Sequence, residues 1–178
     1  MRNFAMYETI YREKLMTKEE AAALVKDGDE IEIGFGADFP VAFDEALAAR
    51  AHELTHVAVR NGVLFDRSRL LAQGAPFEWQ SWHATGDVRR AMDEGKAIHI
   101  PVRYSELIRY VTENRHTDML VFSTAPMDAH GYFNFGIEGS HFLRLAKKAK
   151  TVIVEVNEKQ PRVYGRGESE IHIDEVDG

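Results

Sequence analysis

A chain of 178 residues, with 44% hydrophobic and 29% charged residues, has the size and composition of one folded globular domain. The formal net charge of −7 argues against binding to a nucleic-acid backbone, and the absence of cysteine excludes disulfides, thiolate catalysis and cysteine-ligated metal sites. Because no apolar run approaches the ~18 residues of a membrane span and residues 1–8 lack the apolar middle of a signal peptide, we expect a cytoplasmic protein without membrane contact.

Helix and strand patterns alternate along the chain. In chain order they predict a helix from Thr17, strand 30–33, helix 41–53, strand 56–60, helix 87–94, strand 97–100, helix 105–113, strand 118–122, helix 140–148 capped by Ser140, and strand 151–156. Residues 30–33 alternate polar and apolar side chains, as a half-buried strand does. Residues 64–85 show no clear period and predict no element. Strands that alternate with helices predict an α/β fold, with a layered, mainly parallel sheet flanked by helices.

A β-hairpin is predicted within residues 119–136, beside the parallel sheet. Residues 127–131 have the composition of a turn, and the strand-like residues 132–135 follow it. Asp128 and His130 lie in this turn, where such side chains bind the local backbone. We favour this structural role over acid–base catalysis by His130.

A glycine loop follows the first predicted strand and precedes a helix. Gly34 and Gly36 lie where helix N-termini bind anions, although Phe39 replaces the third glycine of a dinucleotide-binding fingerprint. Two interpretations stay open. The loop is a tight turn, or its bare backbone allows the acyl group or carboxylate of a ligand to approach closely.

Other catalytic and binding patterns are few. The chain has no Gly-x-Ser-x-Gly elbow, which gives serine hydrolase chemistry no support, and its eight histidines form no His-Glu-x-x-His metal motif. Arg162 follows Pro161 beyond the last predicted strand, at the end where parallel strands face a ligand crevice. Its planar guanidinium suits a substrate carboxylate. The alternative is a surface ion pair with Glu155, Glu158 or Glu168.

Residues 123–136 have the sequence Ser-Thr-Ala-Pro-Met-Asp-Ala-His-Gly-Tyr-Phe-Asn-Phe-Gly. This segment resembles the S-x-x-D-x-H-G-Y-x-x-x-G stretch of the acetyl-CoA hydrolase/transferase family. Further segments that resemble the family in order and spacing are residues 11–17, 28–29, 34–40, 46–50, 149–157, 161–162 and 171–173. The likeness is weakest over residues 67–89. The family often has proline in place of Ala125 and Cys-Ser in place of Phe133 and Asn134.

The resemblance implies that residues 1–178 form the N-terminal domain of an acyl-CoA:carboxylate CoA-transferase of the 4-hydroxybutyrate or acetate/butyrate type. This half would form one wall of the acyl and acceptor cleft, with coenzyme A entering as acyl-CoA and no metal. The substrate-binding residues that it implies are Gly34, Gly36, Ala37, Pro40 and Arg162. The structural residues of the motif are Asp128, His130, Gly131, Tyr132, Gly136 and Asn157.

The catalytic glutamate of the family belongs to the C-terminal half, which these residues do not resemble. We therefore assign no catalytic residue here and expect the fragment alone to be inactive. The implied partners are an acyl-CoA, a short-chain carboxylate and the C-terminal half, in a homo-oligomer when complete, with no nucleic acid and no membrane. An acetyl-CoA hydrolase and a non-catalytic α/β module that binds small molecules are the alternatives.

Overall fold

The computed structural model describes residues 4–65, 67–165 and 167–178. Its strands are β1 (Glu30–Ile33), β2 (Val57–Asn61), β3 (Phe77–Ser81), β4 (Ala97–His99), β5 (Met119–Thr124), β6 (Tyr132–Asn134), β7 (Thr151–Val156) and β8 (Glu170–His172). Its α-helices are α1 (Phe4–Lys14), α2 (Lys18–Ala23), α3 (Val41–Ala49), α4 (Arg69–Gln73), α5 (Gly86–Asp93), α6 (Tyr104–Arg109) and α7 (Phe142–Ala146). Short 3-10 turns cover Gly36–Asp38, Ala51–Glu53 and Ile173–Glu175, and a π-helical turn at Tyr110–Asn114 extends α6.

The main sheet confirms the α/β prediction. It has six strands in the order β4-β3-β2-β1-β5-β7, and every neighbouring pair is parallel. The strand order reverses between β1 and β5, since β2 to β4 extend to one side of β1 while β5 and β7 extend to the other. β6 and β8 form a separate antiparallel pair.

The antiparallel element predicted beside the sheet is present, and its strand β6 finds its ladder partner in β8. The turn before β6 also folds back on itself. The Asp128 N–H donates to the Tyr132 carbonyl at 2.9 Å, and the Ala125 N–H donates to the Asn134 carbonyl at 2.9 Å. Residues 125–134 thus form the predicted turn, fixed to the end of β5.

Local patterns located most elements, and three details differ. The capping box of Thr17 and Glu20 is confirmed at the start of α2. Ser140 does not cap α7, because His141 occupies the N-cap position. Residues 64–85, which predicted no element, contain α4 and β3. β1 is buried at Ile31, Glu32 and Ile33 instead of half-buried, because both of its faces are covered there, and Glu30 is partly exposed.

Apolar side chains cover both faces of the main sheet. On one face the sheet packs against α2 to α5, through Val25, Leu47, Leu70 and Val88 among others. On the other face it packs against α6, α7 and the β6–β8 pair, through Leu107, Leu145, Phe133 and Ile171 among others. A sheet covered on both faces leaves its strand ends as the places where polar chemistry can meet solvent.

A buried group of charges lies at the centre of the second face. Glu32 on β1 and Arg60 on β2 are paired in register, and both are fully buried. The Arg60 guanidinium donates to Glu32 Oε2 at 3.2 Å, to Glu30 Oε2 at 2.7 Å and to the His116 carbonyl and Thr117 Oγ1, each at 2.7 Å. The other Glu32 oxygen, Oε1, accepts from His141 Nε2. These contacts tie β1, β2 and the start of β5 to α7.

We expect Arg60→Leu to destabilise the fold by about 3–5 kcal/mol, since it leaves the carboxylate of Glu32 buried without its cationic partner. The measurement is the free energy of unfolding from urea titrations. The matched control is Arg109→Leu, which removes an exposed pair with Glu106 on α6 and is expected to cost only ~0–1 kcal/mol. Equal losses in the two variants would contradict a central role for the buried ion pair.

Candidate functional site

The candidate site lies at the carboxyl edge of the main sheet. Because all six strands are parallel, their carboxyl ends meet on one edge. The loop Gly34–Pro40 leaves β1 where the strand order reverses, and its first N–H donates to the Val121 carbonyl of β5 at 2.7 Å. Open α/β sheets bind ligands in the crevice outside such a switch point.

Both glycines of this loop are required by contacts within the chain. A Cβ on Gly34 would collide with the Asp38 carbonyl oxygen and with Phe122 Cβ. Gly36 has φ 58°, and a Cβ there would collide with the Glu138 carboxylate. The geometry therefore favours the tight-turn interpretation of the glycines.

The loop amides are also engaged within the chain. The Gly36 N–H donates to the Val63 carbonyl at 2.7 Å, and the Ala37 N–H donates to the Glu138 carboxylate. The Asn61 amide at the end of β2 donates to the Gly34 carbonyl at 2.8 Å. The loop is thus held rigidly on β1 and β2. The Glu138 carboxylate already occupies the Ala37 N–H, where an anion of a ligand would bind.

Two carboxyl groups lie side by side beneath the loop. Asp38 is fully buried and accepts from Gln160 Nε2 at 2.8 Å. Its burial, together with the neighbouring charge of Glu138, raises the pKa of Asp38 to about 9. Burial also raises the pKa of Glu138, against the opposing effect of the Ala37 N–H. The pair therefore retains a proton at neutral pH, and a neutral carboxyl group at this position can donate a hydrogen bond.

The helix that begins after Pro40 is held by a carboxylate from β7. Glu155 accepts from the Ala42 N–H at 3.1 Å and from the Phe43 N–H at 2.9 Å. These are the orphan amides of a helix N-terminus, where negative charge is favourable. Burial nevertheless raises the pKa of Glu155. The contact fixes α3 and the end of the glycine loop relative to β7.

Unsatisfied polar atoms gather at this edge. Within the described part of the chain, the buried atoms without a hydrogen-bond partner include Asp38 Oδ2, Asn61 Oδ1, Trp82 Nε1, Thr124 Oγ1 and Glu138 Oε2. They belong to residues that end or follow neighbouring strands, or that contact the glycine loop. Buried polar groups are normally hydrogen-bonded, so these atoms are open to hydrogen bonds with water or with a polar ligand.

The turn of the sequence motif is organised around Asp128. Its Oδ1 accepts from the His130 N–H at 2.8 Å and from the Tyr132 N–H at 3.0 Å. Gly131 has φ 85°, and a Cβ there would press on His172 and Tyr7. The Tyr132 ring contacts His172 edge-on, with ring centroids 4.8 Å apart.

The remaining motif residues shape backbone next to the sheet. Gly136 has φ 66°, and its N–H donates to Asn134 Oδ1 at 2.9 Å. The Asn157 N–H donates to the Thr124 carbonyl at 2.8 Å, and its Oδ1 accepts from the Lys159 N–H at 3.0 Å. The turn after Asn157 carries Gln160 to Asp38, which brings this segment and the glycine loop together.

Arg162 is engaged with the same turn. Its Nη2 lies 3.1 Å from Asp128 Oδ2 and 3.5 Å from Glu170 Oε2, and its Nη1 donates to the Pro126 and Tyr132 carbonyls at 3.2 and 3.3 Å. Arg162 thus forms a surface ion pair, as the alternative interpretation expected, but its partners are Asp128 and Glu170 and not Glu155, Glu158 or Glu168. Glu155 caps α3 instead, and Glu168 binds Arg144 at 2.7 Å.

A groove of about 340 Å³ runs along β7, beside α3 and the chain end. Its lining is mainly apolar and includes Phe43, Ile153 and Val156. Of the lysines that line it, Lys14 donates to the Ile173 carbonyl at 2.7 Å and Lys18 pairs with Glu45 at 3.7 Å. The chemistry at the switch point lies outside this groove, because neither Asp38 nor Glu138 lines it.

Sequence reasoning missed Asp38, Glu138 and Gln160. Asp38 lies in the glycine loop of residues 34–40. Its neighbours in the sequence, an aromatic residue and Pro40, do not predict that its side chain is buried. Asp38 meets the other two only through long-range contacts, such as that with Gln160, from which it is separated by 122 positions.

Over residues 4–65, 67–165 and 167–178, no group of three or more His, Asp or Glu side chains is arranged to hold a metal ion. In that same part of the chain, every helix is too short or too polar to span a bilayer.

Comparisons with known proteins give consistent similarities. Residues 2–178 match the family model for the acetyl-CoA hydrolase/transferase N-terminal domain. The chain is 42% identical over 171 residues to a butyryl-CoA:acetate CoA-transferase of Anaerostipes caccae, a match that covers 94% of this chain and 38% of that protein. It is 36% identical over 180 residues to a probable butyrate:acetyl-CoA coenzyme A-transferase of Syntrophomonas wolfei, covering 97% of this chain and 40% of that protein.

The fold has a close counterpart among solved structures. RipA from Yersinia pestis superposes with a TM-score of 0.86 at 30% identity, covering 96% of this chain and 42% of that chain. The chain thus spans about two fifths of the length of the curated relatives it matches.

We expect Asp38→Asn to remove a pH dependence of stability. The folded state holds the Asp38 proton up to about pH 9, whereas the unfolded state loses it near the ordinary value of 3.8. Stability from this group is therefore complete below about pH 4 and is lost as the pH rises towards 9. Asparagine mimics the protonated acid, so the variant gains stability relative to the wild type as the pH rises.

Urea unfolding across this pH range measures the effect, with Asp93→Asn at an exposed position of α5 as the matched control. Parallel pH profiles for the wild type and Asp38→Asn would show that Asp38 ionises freely in the folded chain.

Proposed function

The chain belongs to the acetyl-CoA hydrolase/transferase family, and we propose that residues 1–178 form the N-terminal domain of an acyl-CoA:carboxylate CoA-transferase. The cluster of orphaned polar atoms at the carboxyl edge carries this proposal, because it provides donors and acceptors for a bound acyl group. The relatives named as CoA-transferases support the reaction class. We propose a short-chain acyl-CoA and a short-chain carboxylate as substrates.

In this proposal the loop Gly34–Pro40 forms one wall of the acyl and acceptor cleft. Its rigidity follows from the bonds to Val121, Val63 and Asn61, so the wall keeps its shape when a ligand arrives. The Trp82 indole N–H is a buried donor without a partner among the described residues, and it suits a carbonyl oxygen. Such preorganised donors stabilise the negative charge that develops on an acyl oxygen during transfer.

The Asp38–Glu138 pair sets the electrostatics of that wall. A pair that carries one proton holds a single negative charge, whereas two ionised carboxylates would repel a carboxylate acceptor more strongly. Protonation of the pair therefore permits an anionic acceptor to approach the loop. The nucleophile that attacks the thioester belongs, in this proposal, to the C-terminal half, and the complete enzyme is a homo-oligomer.

The proposal is tested with a chimera in which residues 2–178 replace the matching segment of the Anaerostipes caccae enzyme, to which this chain is 42% identical. We expect the chimera to transfer coenzyme A from butyryl-CoA to acetate, and the 178-residue chain alone to show no transfer to acetate above a boiled control. Release of free coenzyme A without acetate measures hydrolysis in the same assay. Melting temperature and circular dichroism establish that the chimera is folded.

A folded chimera without transferase activity would contradict the proposed domain. Transfer by the 178-residue chain alone would contradict the assignment of the nucleophile to the C-terminal half. The parent enzyme serves as the positive control, and a chimera with Gly34→Val, whose side chain collides with the Asp38 carbonyl, serves as the disrupted-wall control.

The role of Arg162 is tested with Arg162→Lys in the chimera. Because the guanidinium donates to Pro126, Tyr132 and Asp128, we expect lysine to lower the melting temperature and to leave the apparent acceptor constant unchanged. The stability loss is expected at ~0–1 kcal/mol, the range of exposed ion pairs. A raised acceptor constant with an unchanged melting temperature would instead establish Arg162 as a carboxylate-binding residue.

A further inference from the structure

A relay of hydrogen bonds runs from the buried centre of the sheet to the surface. Glu32 Oε1 accepts from His141 Nε2, both side chains being fully buried. His141 Nδ1 lies 3.2 Å from Ser140 Oγ, and Ser140 Oγ lies 2.7 Å from the Tyr104 hydroxyl. Tyr104 is 55% exposed, so the relay ends in solvent. A serine, a histidine and a carboxylate in hydrogen-bonded sequence is the arrangement of an activated nucleophile.

The proposal assigns a direction to each bond. An ionised Glu32 only accepts, so His141 Nε2 carries a proton, and we assign Nδ1 as the unprotonated nitrogen that presents its lone pair to Ser140. The Ser140 hydroxyl then donates its one proton to Nδ1, which leaves Tyr104 as the donor to Ser140 Oγ. Hydrogen bonds from His141 and Arg60, together with the charge of Arg60, lower the pKa of Glu32 against the effect of burial. The assigned state of His141 is the tautomer that a general base needs.

The histidine is also fixed in position. Its ring stacks on Phe35 with centroids 5.9 Å apart, contacts Trp82 edge-on at 5.6 Å and contacts Phe142 at 5.2 Å. A base held by packing on several sides keeps its lone pair aimed at the serine.

The backbone at Ser140 is strained, and helix capping does not explain the strain. Ser140 has φ 37°, a left-handed conformation that residues with a Cβ rarely adopt. The N-cap position of α7 belongs to His141 and not to Ser140. In this conformation Ser140 Oγ lies between Tyr104 and His141. Nucleophiles are often held on strained turns, and strain of this kind costs on the order of 1–3 kcal/mol.

We propose that Ser140 is an activated nucleophile that accepts acyl groups from small acyl esters and thioesters. Its Oγ bonds to the carbonyl carbon while its proton passes to His141 Nδ1, and the carbonyl π pair moves to oxygen. Collapse breaks the carbon–sulfur or carbon–oxygen bond, and the leaving group takes the proton from Nδ1. Water then attacks the acyl-serine by the same route, releasing the carboxylic acid and restoring Ser140. This chemistry is independent of CoA transfer and of the C-terminal half.

The test uses the 178-residue chain, a biotinylated fluorophosphonate as the serine-reactive probe, and p-nitrophenyl acetate as the acyl ester. We expect the probe to label Ser140, located by peptide mass spectrometry, and the chain to hydrolyse the ester above the buffer rate. Ser140→Gly tolerates the left-handed backbone without strain and is expected to fold while losing both label and hydrolysis. Ser105→Ala, at an exposed position of α6, is the matched control and is expected to retain both.

Tyr104→Phe removes only the exposed hydroxyl and is expected to slow labelling by about tenfold, because Ser140 Oγ loses the partner that holds it in position. A wild-type chain that takes up no label overturns the proposal. A label that persists in folded Ser140→Gly, or that maps to another serine, overturns it as well. These results do not depend on the chimera, so failure here and failure of the proposed transferase function are distinguishable.

Discussion

The cross-strand pair of Glu32 and Arg60 is the contact on which the arrangement of this protein depends. Both side chains are fully buried, on the face of the sheet covered by α6, α7 and the β6–β8 pair. A charge in such surroundings is tolerated only when every hydrogen-bonding direction is used, and Arg60 uses its directions on Glu30, Glu32, His116 and Thr117. The other Glu32 oxygen binds His141, and this hydrogen bond fixes α7 against β1.

The need of buried polar groups for hydrogen-bond partners also explains the contacts at the carboxyl edge of the sheet. Glu138 and Glu155 lie on amides of the glycine loop and of the α3 N-terminus, where a ligand anion is expected to bind. The chain's own carboxylates thus hold the backbone in the shape that binds an anion. What stays unsatisfied is a different set of atoms, among them Trp82 Nε1 and Thr124 Oγ1.

The fold could be predicted from the sequence more fully than the site. Each predicted strand was found within two residues of its expected ends, because strand periodicity is a local property. Glu32 shows where local reasoning fails, since a polar residue in an alternating strand predicts a solvent face. Its partner Arg60 stands 28 positions away and His141 stands 109 positions away, and no spacing rule connects them. The motif of residues 123–136 indicated the family, but Asp128 and Arg162 bind each other and the backbone of the turn.

The chain spans about two fifths of the length of its curated relatives. Within it, the buried ion pair and its histidine supply long-range contacts that join β1, β2 and α7. The same histidine leaves one nitrogen free of Glu32, and Ser140 occupies it under backbone strain. The contact between Glu32 and His141, which stabilises the fold, therefore also places a histidine base beside the Ser140 hydroxyl. The backbone strain at Ser140 is not required for helix capping, and this is the reason to propose a chemical role for the arrangement besides its role in packing.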